Sequence, residues 1–216
     1  MEVSSVLKGR RLKDQRLKRE ITRPDVPLNI PSSRKLRADA ERNRGRLLET
    51  ARVCFAENGT STSLEQVTRR AGVGIGTLYR HFPTREALIE AVYRQEVSRL
   101  GESARILAER LPPVEALREW LLLFVDYLAT KKIMADALRS LVGSDLTADT
   151  TRMLDEAITL LTGRAVEQNM IQLTLPPLDL LRAISGIANA GSTEDWQVGA
   201  RAIIDVLISG MAQTPM

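Results

Sequence analysis

The residues with the clearest chemical potential lie between Gly72 and Arg85. Gly74, Ile75, Gly76 and Thr77 are small or apolar, so a helix beginning there can come close to another molecule. Tyr79, Arg80, His81 and Arg85 follow with hydroxyl, guanidinium and imidazole donors suited to phosphate oxygens. Catalytic alternatives lack parts. His81 is the only histidine and Cys54 the only cysteine, so a Cys/His zinc site has too few ligands. No GxSxG, P-loop or HExxH is present. The run Gly72-x-Gly74-x-Gly76 lacks the last glycine of a dinucleotide loop, because Thr77 stands in its place, and a helix rather than a strand is expected ahead of it. The chain is therefore read as a binding protein, not an enzyme, with no cofactor and no metal.

The elements that position this segment follow from local signals. Thr62 and Ser63 can each cap a helix start, with Glu65 and Gln66 three residues on for a capping box. Leu64, Val67 and Ala71 share one face. Gly72 suits the positive φ of a helix end. A second short helix is expected at 75–81, stopped by Pro83, and Thr84 can cap the next. Two short helices joined by a glycine turn form a helix-turn-helix, whose second helix enters the DNA major groove. A plain helical hairpin has the same spacing, so the residues alone leave both open.

The stretch TSLEQVTRRAGVGIGTLYRHFPTREAL resembles the DNA-binding domain of the TetR family of bacterial transcriptional regulators. Upstream, RLLETARVCFAENG (46–59) is similar to that family's first helix. The resemblance covers about residues 42–93. Thr68 departs from the usual Ala, Ile75 from a frequent polar residue or Lys, and Arg85 from the usual Lys. The resemblance implies a DNA-contacting set of Arg44, Thr62, Ser63, Ile75, Gly76, Thr77, Tyr79, Arg80, His81 and Arg85. It also implies a homodimer on a double-stranded, palindromic DNA operator, with release by an unknown small-molecule effector.

The whole chain fits that picture. Its 216 residues are 44% hydrophobic and 27% charged, a globular composition. Residues 1–37 hold eleven Lys or Arg against four acids, and residues 91–216 hold twelve against sixteen. Nucleic acid is therefore expected at the N-terminal end. Residues 1–37, with Pro24, Pro27 and Pro31, read as a basic, disordered arm. Residues 38–90 read as the helix-turn-helix domain, starting with a helix at 39–58 capped by Asp39. Residues 91–216 read as a helical effector-binding and dimerisation domain. The expected fold is all-α, since no segment alternates with a strand's period of two. Further helices are expected at 84–109, 114–132, 133–142, 147–172, 177–190 and 195–212. No apolar run reaches the ~18 residues of a membrane span, and a lone cysteine offers no disulfide framework; a cytoplasmic protein without membrane association is expected.

Two further sites are expected in the body. Trp120, Phe124 and Tyr127 share a helix face and, with Met134 and Met153, can line an apolar pocket; plain core packing gives the same pattern. Leu181, Ile184 and Ile187 on one helix, with Ile203, Val206 and Leu207 on another, can bury against a twin, or within their own subunit. A dimeric helical protein that binds small molecules or partners without DNA is the alternative function.

Overall fold

The computed structural model describes residues 33–59, 61–139, 144–190 and 195–212, with side chains from residue 37 onward except at 136, 137, 144 and 145. The expected disorder of residues 1–32 lies outside these. The chain divides into two units, 1–40 and 41–216; of the first, residues 33–40 are described and are helical.

Among the described residues the regular elements are helices. They are α1 (Ser33–Asn58), α2 (Leu64–Ala71), α3 (Ile75–His81), α4 (Arg85–Arg110), α5 (Pro113–Ile133), α6 (Ala135–Arg139), α7 (Ser144–Glu167), α8 (Pro177–Ala190) and α9 (Trp196–Met211). An isolated antiparallel bridge joins Ile171 to Ala212.

Two boundaries differ from expectation by five residues or more. Helix α1 begins at Ser33 rather than at 39, so residues 33–37 are helical and not part of a disordered arm. The run SerArgLysLeuArgAlaAsp contains good helix formers and no Gly or Pro, so nothing in it favours a stop. Helix α7 ends at Glu167 instead of continuing to 172. Asn169 takes φ 53, a left-handed conformation that Asn tolerates better than most residues. Met170 N–H then closes on the Ala165 carbonyl at 2.9 Å, and buried Ile171 turns toward the C-terminal end of α9.

Helix α5 is the centre of the body. Ala116, Leu117, Trp120, Leu121, Phe124 and Val125 are all buried, and the helix packs against α4, α7, α8 and α9. Few polar positions interrupt its apolar circumference, so it has neighbours on most sides. Lys132 donates to the Ala188 carbonyl near the end of α8 (3.2 Å) and lies over the Trp196 ring.

Helix α4 joins the helix-turn-helix to this body without a break. Leu88, Ile89 and Val92 belong to the same buried cluster as Val97, Leu100 and Ala104 further along it. The boundary expected at 90/91 therefore falls inside one helix and one continuous core.

Candidate nucleic-acid interface

The turn between α2 and α3 follows from its caps. Ser63 Oγ accepts from Gln66 N–H at 3.1 Å, and Ser63 N–H donates to Gln66 Oε1 at 3.0 Å. Of the two capping boxes the sequence allows, this is the one formed. At the other end Gly72 has φ 63, and Val73 N–H reaches the Thr68 carbonyl at 3.0 Å. Val73 is buried behind this turn and fixes the departure of α3.

Helix α3 presents nearly all of itself outward. Leu78 is its one buried residue. Ile75 and Tyr79 are 39% and 47% exposed, large values for apolar and aromatic side chains. Gly76 and Arg80 are exposed as well, and Thr77 and His81 half-exposed. Gly74 caps the helix without a side-chain hydrogen bond, so the first N–H groups face outward without a side-chain acceptor. At the far end, the Arg44 guanidinium of α1 lies 5.6 Å over the Phe82 ring. Arg44 thus belongs to the same surface as the C-terminal end of α3.

Two expected contact residues are placed differently. Thr62 is buried, and its hydroxyl lies 3.1 Å from the Cys54 carbonyl and 2.9 Å from that of Gly59. It ties the loop to the end of α1 and offers no surface to DNA. Arg85 is half-buried, and its guanidinium donates to the Thr62 carbonyl. That arginine braces the loop before α2, so removing it disturbs the head as well as any phosphate contact. Ser63, half-exposed at the N-terminus of α2, remains a candidate with its hydroxyl committed to the cap.

A charged cluster that sequence periodicity does not reveal joins α1 to α4. Glu49 contacts Arg52 and Arg99, each at 2.6 Å, while Glu96 lies 3.4 Å from Arg99 and 3.9 Å from Arg52. Residues 49 and 99 are fifty apart, beyond the reach of any spacing rule. The two carboxyls shift in opposite directions. Hydrogen bonds from Arg52 and then Arg99 lower that of Glu49. Burial raises that of Glu96, despite the two arginines.

The signs have consequences for stability. Glu96 keeps its proton to higher pH in the folded chain than in the unfolded one. The associated stabilisation is complete below the ordinary value of 4.5 and is lost as pH rises through the raised folded value. Glu49 does the reverse: its contribution is present above 4.5 and is lost as pH falls through its lowered folded value. Glu96→Gln is therefore expected to raise the melting temperature at pH 7 by a few degrees at most, with the gain shrinking toward pH 4. Melts at pH 4, 5, 6 and 7 check this. A lower melting temperature at pH 7 would mean that the pairs with Arg52 and Arg99 outweigh the burial of the charge.

In the body, the expected pocket is not one cavity. Trp120, Phe124 and Met134 are fully or almost fully buried. The Trp120 indole stacks on Phe124 at 6.0 Å and donates to the Leu100 carbonyl at 2.8 Å. None of these three lines the three cavities described next. Met153 lines a groove of about 310 Å³ between α4 and α7, beside Gly101. Tyr127 lines a separate cleft of about 330 Å³ with Arg52, Glu96 and Leu123. A third cavity of about 150 Å³ lies among Tyr93, Lys131, Leu138, Leu146, Thr150 and Leu154. On the α5 stripe Trp120 and Phe124 are packed as core, while Tyr127 borders a cleft.

The expected dimer face is likewise divided. Leu181 and Ile184 are buried within their own subunit. Ile187 and Leu207 are half-buried and pack on the core edge. Ile203 and Val206 are 40% and 64% exposed, and Val198, which the sequence reading passed over, is 67% exposed. Gly186 and Gly199 are exposed beside them, with no atom near where a Cβ would sit.

This geometry, a helix-turn-helix head continuous with a helical body, defines the class of protein, and comparison with known proteins narrows it. Residues 47–92 match the bacterial regulatory proteins of the tetR family. A TetR transcriptional regulator of Streptomyces coelicolor superposes with a TM-score of 0.71 at 42% identity, over 80% of this chain and 99% of that one. A TetR transcription regulatory protein of Mycobacterium vanbaalenii gives 0.67 at 30%, over 82% and 99%. The chain belongs to the TetR family of transcriptional regulators. The HTH-type transcriptional regulator UidR of Escherichia coli is 35% identical over 94 residues, which span 43% of this chain and 42% of UidR. Among the described residues no helix is long and apolar enough to cross a membrane.

Proposed function

We propose that the chain is a cytoplasmic, homodimeric repressor that binds a palindromic operator and releases it when a small molecule occupies the body. The observation that carries this is α3, a short helix whose exposed side chains include Ile75, Tyr79 and Arg80 while Leu78 is its one buried residue. An aromatic and a branched aliphatic side chain left in solvent on one short helix are a feature that burial does not explain. Contact with a groove accounts for it. Ile75, Gly76 and Thr77 meet base edges, and the Tyr79 hydroxyl, Arg80, His81 and Arg44 meet backbone phosphates.

Two heads on a two-fold axis require a self-complementary surface. The exposed strip of Val198, Ile203 and Val206 supplies it, and the neighbouring glycines permit close approach of helices. An effector acts by binding the conformation that does not fit DNA more tightly than the one that does. Helix α4 connects the two sites.

The test is a binding series on DNA flanking the protein's own gene, on single-base variants of the protected half-site, and on random duplex at fixed salt. Tyr79→Phe removes one hydroxyl from an exposed side chain. It is expected to leave the fold intact and to cost ~1–2 kcal/mol of binding per head. Arg80→Ala is expected to weaken specific and random duplexes alike, since a phosphate contact carries no sequence information. Thr77→Val is expected to change the ranking of half-site variants. Parent-like affinity of all three for every duplex would remove α3 as the reading element.

A further inference from the structure

The hydroxyls of Tyr93 on α4 and Tyr127 on α5 lie 2.8 Å apart, and both residues are 6% exposed. Two phenols bring two hydrogens, and the bond between them uses one. No other partner of either hydroxyl exists among the described residues. One hydroxyl hydrogen of the pair therefore has no protein acceptor among the described residues and is available to a molecule in an adjoining cavity. Burial, and then the proximity of Tyr93, push the Tyr127 phenol above its usual range, so it remains a donor at any physiological pH.

The pair stands between two cavities. Tyr127 faces the cleft shared with Arg52 and Glu96, and Tyr93 faces the 150 Å³ cavity. The smaller cavity has a definite chemical bias. Leu138, Leu146 and Leu154 supply apolar walls, and Lys131 is the sole charged residue lining it. Lys131 is exposed and has no partner among the described residues. The Thr150 and Thr151 hydroxyls already donate to the Leu146 and Thr147 carbonyls, at 2.8 and 2.9 Å. Among the described residues lining the cavity, apart from the exposed Thr147 at the rim, the spare donors are thus the Lys131 ammonium and, when Tyr127 donates to Tyr93, the Tyr93 hydrogen, with no acid beside them. A cavity of this volume is large enough for a benzene ring.

We propose that the Tyr93–Tyr127 hydroxyl pair and Lys131 form the recognition points of a binding site for a small monocarboxylate with an apolar body, about the size of benzoate. The apolar part packs on the leucines. The carboxylate accepts from the unpaired phenol and answers the charge of Lys131. This deepens, and rests on, the reading of the body as an effector domain.

Calorimetry on the full chain tests it with benzoate and hexanoate, their neutral amides, and benzylamine. The acids are expected to bind, and the amides and the amine to bind at least tenfold more weakly. Lys131→Gln is expected to lower acid affinity about tenfold and to leave the amides unchanged. The double variant Tyr93→Phe, Tyr127→Phe is expected to lower the affinity of acids and amides alike, with thermal melts confirming its fold. If that variant does not fold, the exposed Lys131→Gln alone decides. No binding of either acid, equal binding of the amine, or acid affinity unchanged in the folded variants would overturn the assignment. Mobility shifts with the same compounds separate this from the effector reading. An acid that binds at the tyrosines without releasing DNA overturns the effector reading and keeps the site. Release by the amine without acid binding does the reverse.

Discussion

Trp120→Ala is expected to lower the unfolding free energy by about 3–5 kcal/mol, a large part of the ~5–15 kcal/mol that holds a domain folded. Three losses combine. The indole is 0% exposed, so its removal leaves a cavity in the central helix of the body. Its stacking on Phe124 disappears. The Leu100 carbonyl loses the N–H that reaches it from α5 at 2.8 Å, although a carbonyl in a helix keeps its intrahelical partner. Trp120→Phe separates these effects, since it keeps an aromatic ring and most of the volume. It is expected to cost less than half as much. Urea titration followed by fluorescence suits the comparison, because Trp196 remains as a reporter in both variants. A loss below ~1 kcal/mol for Trp120→Ala would mean that the side chain borders an open space after all.

Val206→Glu is expected to separate the proposed dimer while sparing the protomer. Val206 is 64% exposed and lies outside the core of its own subunit, so the substitution has little effect on the isolated chain. Across a two-fold interface it places two carboxylates in an apolar strip without partners. Like charges so placed cost several kcal/mol, and each ~1.4 kcal/mol is tenfold in dissociation constant. The dimer constant is expected to rise by about a thousandfold, and sedimentation across a concentration series measures it. Operator affinity is expected to fall by a factor on the order of a hundred or more, because each head then loses the effective concentration supplied by its twin. Melting and helicity of the monomer should match the parent's. A dimer that persists at low micromolar concentration would place the interface elsewhere.

Some features were legible in the sequence because their signals are local. The capping residues, the glycine at 72 and Pro83 located α2 and α3 within a residue or two, since caps and breakers act over one helical turn. The Pro-opened α8 was equally clear. The departures come from effects that a single helix does not record. Asn169 stops α7 by adopting a conformation that its sequence permits but does not demand. Thr62 and Ser63 are equally good caps on paper, and only the position of α1 decides that Thr62 turns inward to Cys54 and Gly59. Leu181 and Ile184 differ from Ile203 and Val206 in burial rather than in type, so hydrophobicity could not sort the core from an exposed strip. The Glu49–Arg52–Glu96–Arg99 cluster and the Tyr93–Tyr127 bond join residues 34 to 50 positions apart, where no periodicity applies.

Within helix α3 Leu78 is the one buried residue, and buried Val73 and Phe82 hold its two ends. Its remaining positions carry little of the folding free energy, so random substitution there is nearly free of a stability penalty. With α3 as the proposed reading element, selection can then act on operator preference without first having to repair the scaffold. Drift in the target sequence can be matched one side chain at a time, with foldable intermediates at every step. Helix α5 has no such latitude, since most of its substitutions disturb several packed neighbours at once. The chain therefore combines a segment open to rapid change with one held nearly fixed. A gene duplicate could acquire a new operator long before it acquired a new core.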